Sequence, residues 1–213
     1  MQGPNMARGF FITLEGGEGS GKSTQARLLV ERLCAEGRDV LLTREPGGTP
    51  LGERIREIIL SSRPSADAEF LLFSAARAEH VASKISPALA GGRWVVCDRY
   101  LDSTRVYQGD LAGIDAGLLR TVEQHVVRTA RPNLTLILDL PPETGRARAT
   151  ARGALNRYDA EQMAYHERIR EGFLAIATTE PQRCTVIDAS RDAEAVAHDV
   201  WQAVASRFAL PTG

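Results

Sequence analysis

The sequence predicts a single α/β domain: a five-stranded parallel sheet with helices on both faces, built around a phosphate-binding loop. Two observations carry the prediction. Five short apolar runs, Phe10–Leu14, Val40–Thr43, Trp94–Cys97, Leu134–Leu140 and Cys184–Ile187, are separated by stretches with helical spacing. Alternation of that kind builds parallel sheets buried on both sides. The first run then leads directly into Gly16-Gly17-Glu18-Gly19-Ser20-Gly21-Lys22-Ser23, the spacing G-x-x-x-x-G-K-S that wraps backbone amides around phosphates. A chain of 213 residues suffices for one domain with a full core.

The loop comes first in the chain. Phosphate oxygens need close approach by backbone N–H groups, which a Cβ would obstruct. The helix opening near Gly21 adds its positive dipole end. Residues Gly16 to Thr24 are therefore the expected nucleotide cradle, with Lys22 reaching the β- and γ-phosphates and the Ser23 hydroxyl placed for Mg²⁺. The helix that follows carries Ala26, Leu29, Val30, Leu33 and Cys34 on an expected buried face and stops at Gly37.

After the second strand, Thr43-Arg44-Glu45-Pro46-Gly47-Gly48-Thr49 forces a loop at the strand end where open α/β sheets bind ligands. Residues 66–90 read as one long helix, kinked or ended early by Pro87. Phe73 and Arg77 share a face of it. By spacing alone that pair reads as core plus surface, although an aromatic plane beside a guanidinium can also hold a nucleobase. The third strand ends Cys97-Asp98-Arg99-Tyr100. An acid there meets the need for a second Mg²⁺-supporting group, and Arg99 can hold a phosphate with two parallel bonds.

Ser103-Thr104-Arg105-Val106-Tyr107-Gln108-Gly109 crowds hydroxyl, amide and aromatic groups into one turn, suited to a flat polar ligand or to a solvated helix start. Between Glu143 and Arg157 lie Arg146, Arg148, Arg152 and Arg157, with Gly145 and Gly153 as expected hinges. The arginine excess favours a lid over phosphates above a solvated helix face. The last helix carries Val196, Val200, Trp201, Val204 and Phe208 at core spacing.

Whole-chain quantities exclude several classes. A net charge of −1 gives no global field for nucleic acid or an anionic membrane, so phosphate binding must come from local clusters. No apolar run is long enough to span a bilayer and the start has no secretory core. Residues 1–8 read as a frayed leader. Cys34, Cys97 and Cys184 are expected to be buried free thiols, which fits a reducing cytoplasm.

Taken together, Glu15 to Thr24, the Arg-Glu-Pro-Gly-Gly-Thr loop, Leu72-Phe73-Ser74-Ala75-Ala76-Arg77, Asp98-Arg99-Tyr100, Ser103 to Gly109 and the arginine-rich stretch resemble the thymidylate kinase family, in family order over about residues 10 to 190. The resemblance implies a fold of the P-loop nucleoside monophosphate kinase type, a homodimer, Mg²⁺ with ATP as donor, and dTMP as acceptor. By position, Phe73 would stack on thymine and Arg77 would bond its exocyclic oxygen. Thr104 would read the ring edge, Gln108 would be another base-side contact, and Pro46 would line the 5-methyl pocket. Tyr107 would crowd the 2′ position. Glu15, or Glu18, would meet the 3′-hydroxyl, and Ser103 lies in the same substrate stretch. Arg99 would hold the dTMP phosphate. Ser23 and Asp98 would support the metal. The loop has no arginine of its own, as in the subgroup whose lid supplies the catalytic charge; Arg148 and Arg152 are the candidates. Two alternatives stay open: a kinase for another nucleoside monophosphate, and a GTPase-type switch. Asp110-Leu111-Ala112-Gly113 matches a switch pattern, but it follows a polar turn and the chain has no Asn-Lys-x-Asp guanine motif.

Overall fold

All five apolar runs form strands. The computed structural model describes residues 9–151, 153, 158 and 161–211; the expected leader 1–8 and, in the lid, Arg152 and Arg157 lie outside them. The strands are β1 (Phe11–Glu15), β2 (Val40–Arg44), β3 (Trp94–Asp98), β4 (Leu134–Asp139) and β5 (Cys184–Asp188). They form one parallel sheet in the order β2-β3-β1-β4-β5. The helices are α1 (Lys22–Ala35), α2 (Pro50–Ser61), α3 (Ala66–His80), α4 (Ser86–Ala90), α5 (Leu101–Thr104), α6 (Ala116–Val127), α7 (Pro142–Ala151), α8 (Met163–Thr179) and α9 (Ala193–Phe208).

The central strand explains why the apolar runs are continuous. Every residue of β1 is buried, because both faces carry helices. Ile12 and Leu14 face one layer with Leu29 and Leu33 of α1 and Val196, Val200 and Val204 of α9. Phe11 faces the other, with Val81, Ile85, Leu89 and Tyr100. The strand order reverses at β1, so a crevice opens beyond the carboxyl ends of β1 and β3. The phosphate loop, Asp98-Arg99 and the Arg44–Thr49 loop all arrive there.

Three sequence expectations need correction. Cys34 is exposed, while Cys97 and Cys184 are buried; the buried row of α1 runs through Ala26, Leu29 and Leu33, and the next residue rotates off that face. Residues 66–90 stay helical through Pro87, but Val81–Ile85 form a π turn in which Ser86 N–H donates to Val81 O, five residues back. The helix therefore does not end at Pro87, and the wider turn comes just before a residue that has no N–H. Gly145 is no hinge. It sits inside α7, where a Cβ would lie 2.4 Å from the Glu18 carbonyl oxygen, so its glycine character lets α7 rest on the phosphate loop.

Candidate active site

The phosphate loop folds as its spacing requires. Gly19 and Gly21 have φ of 71° and 90°, open to glycine without strain, and α1 starts at Lys22. The Lys22 ammonium points into the loop, donating to Gly17 O at 2.7 Å, Gly16 O at 3.1 Å and Ser20 Oγ at 3.2 Å. Burial and the nearby Arg99 charge push its pKa down to about 8. A cation kept unfavourably charged in a dry loop is poised for an anion. Ser20 is buried within the loop and closes it by donating to Gly17 O at 2.9 Å.

Beside the loop, Ser23 Oγ donates to the Asp98 carboxylate from the end of β3. A hydroxyl and a carboxylate in contact at a phosphate loop are hard oxygen donors that suit Mg²⁺. No group of three or more His, Cys, Asp or Glu side chains placed to hold a metal ion occurs among the described residues.

Arg99 follows Asp98 and forms the charged centre of the crevice, although its φ is 66°. Its Nη2 donates to Glu18 Oε1 at 2.7 Å, and its Nη1 donates to Gly16 O and Ser103 Oγ at 3.2 Å and to Tyr107 OH at 3.4 Å. Tyr107 OH donates to the same Glu18 oxygen at 3.1 Å. Burial alone would raise the Glu18 carboxyl, but Arg99, Lys22 and the tyrosine hydroxyl outweigh it and hold the pKa at about 2. Arg44 and Arg56 add positive charge from β2 and α2. Arg56 is itself shifted down, by burial first and then by Arg44, and Arg44 is paired with Glu53 at 2.9 Å.

These groups line one cleft of about 350 Å³. Its far end is the pocket predicted for a base. Phe73 and Arg77 of α3, Pro46 of the β2–α2 loop, and Thr104 and Gln108 converge there. Arg77 is buried and held by Glu45, with Nε donating to Oε2 at 2.7 Å, and by Tyr100 O, which accepts from Nη2 at 2.9 Å. Thr104 Oγ1 is buried with no hydrogen-bond partner among the described residues; such a hydroxyl asks for a polar ligand. Gln108 donates to Glu69 at 2.9 Å. Tyr107 and Gln108 lie on a π segment, Arg105–Leu111, whose wide turn buries Val106, Tyr107 and Gln108 in succession.

Other predicted residues stand elsewhere. Glu15 is fully buried behind the cleft, where its two oxygens accept from Tyr100 N–H at 2.8 Å and Ser103 Oγ at 2.6 Å. Burial and the nearby Asp102 raise its pKa to about 7. Glu18, not Glu15, lines the cleft. Gly16 and Gly17 face a small cavity against β4, α7 and α8. Arg148 points away from the cleft and donates to Ala189 O, Ser190 O and Arg191 O at 2.8, 3.0 and 3.2 Å, tying α7 to the loop after β5. Arg152 lies outside the described residues. Sequence reasoning passed over Arg44, Glu45, Arg56, Tyr100 and Tyr158, which also line the cleft. Arg44 and Glu45 sit inside a motif that had been singled out; Arg56 carries no local signal. The switch-like Asp110-Leu111 ends the π segment rather than a strand.

A parallel five-stranded sheet of this order, with a phosphate loop at its switch point and a cationic cleft leading to an aromatic pocket, defines a P-loop nucleoside monophosphate kinase fold. Comparison with known proteins sharpens the class. The sequence model of the family described as thymidylate kinase matches residues 14–200. The thymidylate kinase of Nitrobacter winogradskyi is 52% identical over 206 residues, covering 94% of this chain and 90% of that one. That of Caulobacter vibrioides is 50% identical over 208 residues, covering 96% and 100%. A crystal structure of thymidylate kinase from Ehrlichia chaffeensis superposes with a TM-score of 0.77 at 36% identity, covering 92% of this chain and 98% of that one. The chain belongs to the thymidylate kinase family.

Proposed function

We propose that this cleft carries out ATP + dTMP → ADP + dTDP, a step in dTTP supply. The observation that carries the reading is a single cleft joining the phosphate loop, through Arg99, to the Phe73, Arg77 and Thr104 pocket. Phe73 stacks on thymine, Arg77 bonds its exocyclic oxygen, the unpartnered Thr104 hydroxyl reads the ring edge, and Gln108 closes the base side. Pro46 lines the methyl pocket. Tyr107 crowds the 2′ position. Glu18, which faces the cleft where Glu15 does not, meets the 3′-hydroxyl. Ser103, bonded to both Arg99 and Glu15, steadies the phosphate-holding guanidinium.

The acceptor phosphate is already an anion at neutral pH. Its oxygen attacks the γ-phosphorus, the O–P bond forms, and the bond to the β,γ-bridging oxygen breaks, leaving ADP. No general base is needed. The difficulty is bringing two anions together, and Lys22, Arg99 and the lid cations offset that repulsion by charge and position. Ser23 and Asp98 would hold Mg²⁺, which would neutralise charge on the phosphates of ATP. With Arg148 engaged at the loop after β5, the lid's catalytic charge is assigned to Arg152. The lid over residues 143–157 also keeps water from the transferring group.

The partner is a second copy of the chain. Leu51 and Ile58 on α2, Leu71 on α3 and Leu118 on α6 are 48%, 50%, 55% and 46% exposed, and apolar side chains concentrated on neighbouring helices mark a contact surface. Sedimentation of wild type against Ile58→Glu reads this as a dimer that becomes a monomer. No described helix is long and apolar enough to cross a membrane, and a kinase of free nucleotides in the cytoplasm fits the unpaired thiols.

ADP formation from Mg-ATP with each nucleoside monophosphate in turn tests the reading. The fastest turnover is expected with dTMP. A different winner removes the base-site assignment, and no acceleration over ATP alone removes kinase action altogether.

A further inference from the structure

From Arg77 at the base pocket a buried polar chain runs back through Glu45 to His80 and Thr43, two residues that do not line the cleft. Arg77 Nε donates to Glu45 Oε2 at 2.7 Å, His80 Nδ1 stands 2.9 Å from Glu45 Oε1, and His80 Nε2 stands 2.6 Å from Thr43 Oγ1. His80 is wholly buried and Glu45 and Arg77 nearly so. The donors can be ordered from chemistry. Glu45, paired with Arg77, is a carboxylate and only accepts, so His80 Nδ1 carries the proton and donates. On the other side of the ring Nε2 pairs with the Thr43 hydroxyl.

The chain ties three elements together. Thr43 belongs to β2, Glu45 to the loop that carries Pro46, and Arg77 and His80 to α3, three residues apart and on one face. The loop reaches the imidazole as closely as glycine permits: a Cβ on Gly48 would lie 2.6 Å from both His80 Nε2 and Thr43 Oγ1. Directly after His80 the helix widens into its π turn. An imidazole set between loop and helix therefore fixes which way the Glu45 carboxylate faces, and the carboxylate fixes the guanidinium. Leaving one member of such a buried set unpaired is costlier than the bond alone is worth.

We propose that His80 is a positioning residue for pyrimidine recognition, holding Glu45 so that Arg77 faces the exocyclic oxygen of the base. This rests on the reading of Arg77 as the base contact. His80→Phe keeps the bulk and removes the donor. It raises the dTMP KM about tenfold, leaves the ATP KM within about twofold, and lowers the preference for dTMP over dCMP by the same factor as the dTMP KM. The preference for dTMP over dUMP stays put, because dUMP keeps the oxygen. His80→Asn, which presents an N–H near the Nδ1 position, restores most of the loss. Thr43→Val loosens the imidazole from its other end and shifts the same ratio a few-fold, so a failure of His80→Phe to fold leaves the idea open to refutation. Arg77→Met moves the dTMP/dCMP ratio by itself, and His80→Phe added to it moves that ratio no further. If Arg77→Met moves the ratio and neither His80→Phe nor Thr43→Val does, positioning by His80 is wrong while the base site stands. If Arg77→Met leaves the ratio unchanged, the base-site reading is wrong and the proposal falls with it.

Discussion

Replacing Arg99 by alanine separates the two substrates of this cleft. The guanidinium sits between Glu18 and the phosphate loop, with its side chain 17% exposed against 16% for Glu18. A hydrogen bond to a charged group contributes about 1.5–3 kcal/mol, so loss of a two-pronged grip on the acceptor phosphate costs about 3–4 kcal/mol. That equals a roughly 10²–10³-fold fall in kcat/KM for dTMP. A second effect adds to it. Without Arg99, the Glu18 carboxylate is left facing the incoming phosphate and repels it, and its carboxyl pKa climbs from about 2 because burial is then opposed mainly by Lys22 and the Tyr107 hydroxyl. Glu18→Gln on the Arg99→Ala background removes that repulsion and returns roughly tenfold of the loss. The assay is initial rate against dTMP at saturating Mg-ATP, then the converse. KM for ATP stays within about threefold, since Lys22 and the loop amides remain. An unchanged dTMP KM would refute contact between Arg99 and the acceptor phosphate. Equal losses for both substrates would show a general collapse of the crevice instead.

Other outcomes follow from the same geometry. Lys22, at a pKa of about 8, is about half protonated at pH 8 in the free protein, and bound phosphates favour the ammonium. The Lys22 share of proton uptake on nucleotide binding, read as wild type minus Lys22→Met, is therefore about half a proton at pH 8 and falls toward zero at pH 6.5, where Lys22 is already charged. Calorimetry in buffers of different ionisation enthalpy reads this; a binding heat independent of buffer, or one equally dependent in Lys22→Met, contradicts it. Gly145→Ala pushes α7 off the Glu18 carbonyl and costs about 1–3 kcal/mol, seen as a lower urea midpoint, and an unmoved midpoint rules the contact out. Tyr107→Ala removes the ring that stands edge-on to Tyr158 at 5.7 Å and reduces the preference for deoxyribose over ribose in the acceptor roughly tenfold, whereas unaltered discrimination places 2′ recognition elsewhere.

Much of the fold and half of the site are local, and local features are legible. The five strands come from continuous apolar runs, each found within a residue or two; β1, β3 and β4 are covered on both faces and need no polar alternation, while the edge strands β2 and β5 keep partly exposed residues. The phosphate loop declares itself because backbone approach to phosphate admits few residues at the glycine positions. Phe73 and Arg77 share a helix face by spacing alone, yet spacing could not distinguish a base pocket from core and surface. That distinction depends on Pro46, Thr104 and Arg99 arriving from three other segments. The same limit hid Arg56, an arginine on a helix like many others until the β2–α2 loop folds it beside Arg44, and Glu45, whose role depends on His80. The two π turns were invisible because they answer to tertiary fit and have no residue signature. The exposure of Cys34 and the outward turn of Arg148 were likewise settled by how α1 and α7 roll against their neighbours. The sequence by itself determined the order of strands and helices along the chain and the phosphate chemistry, since these rest on contacts within about ten residues, while the kinase class came from the family resemblance of motifs spread over about residues 10 to 190. Only the tertiary structure decided which charges meet. Glu18 rather than Glu15 lines the cleft, and Arg99 is held by Glu18 across 81 residues of chain, because a buried charge takes its place from partners that sequence distance does not reveal.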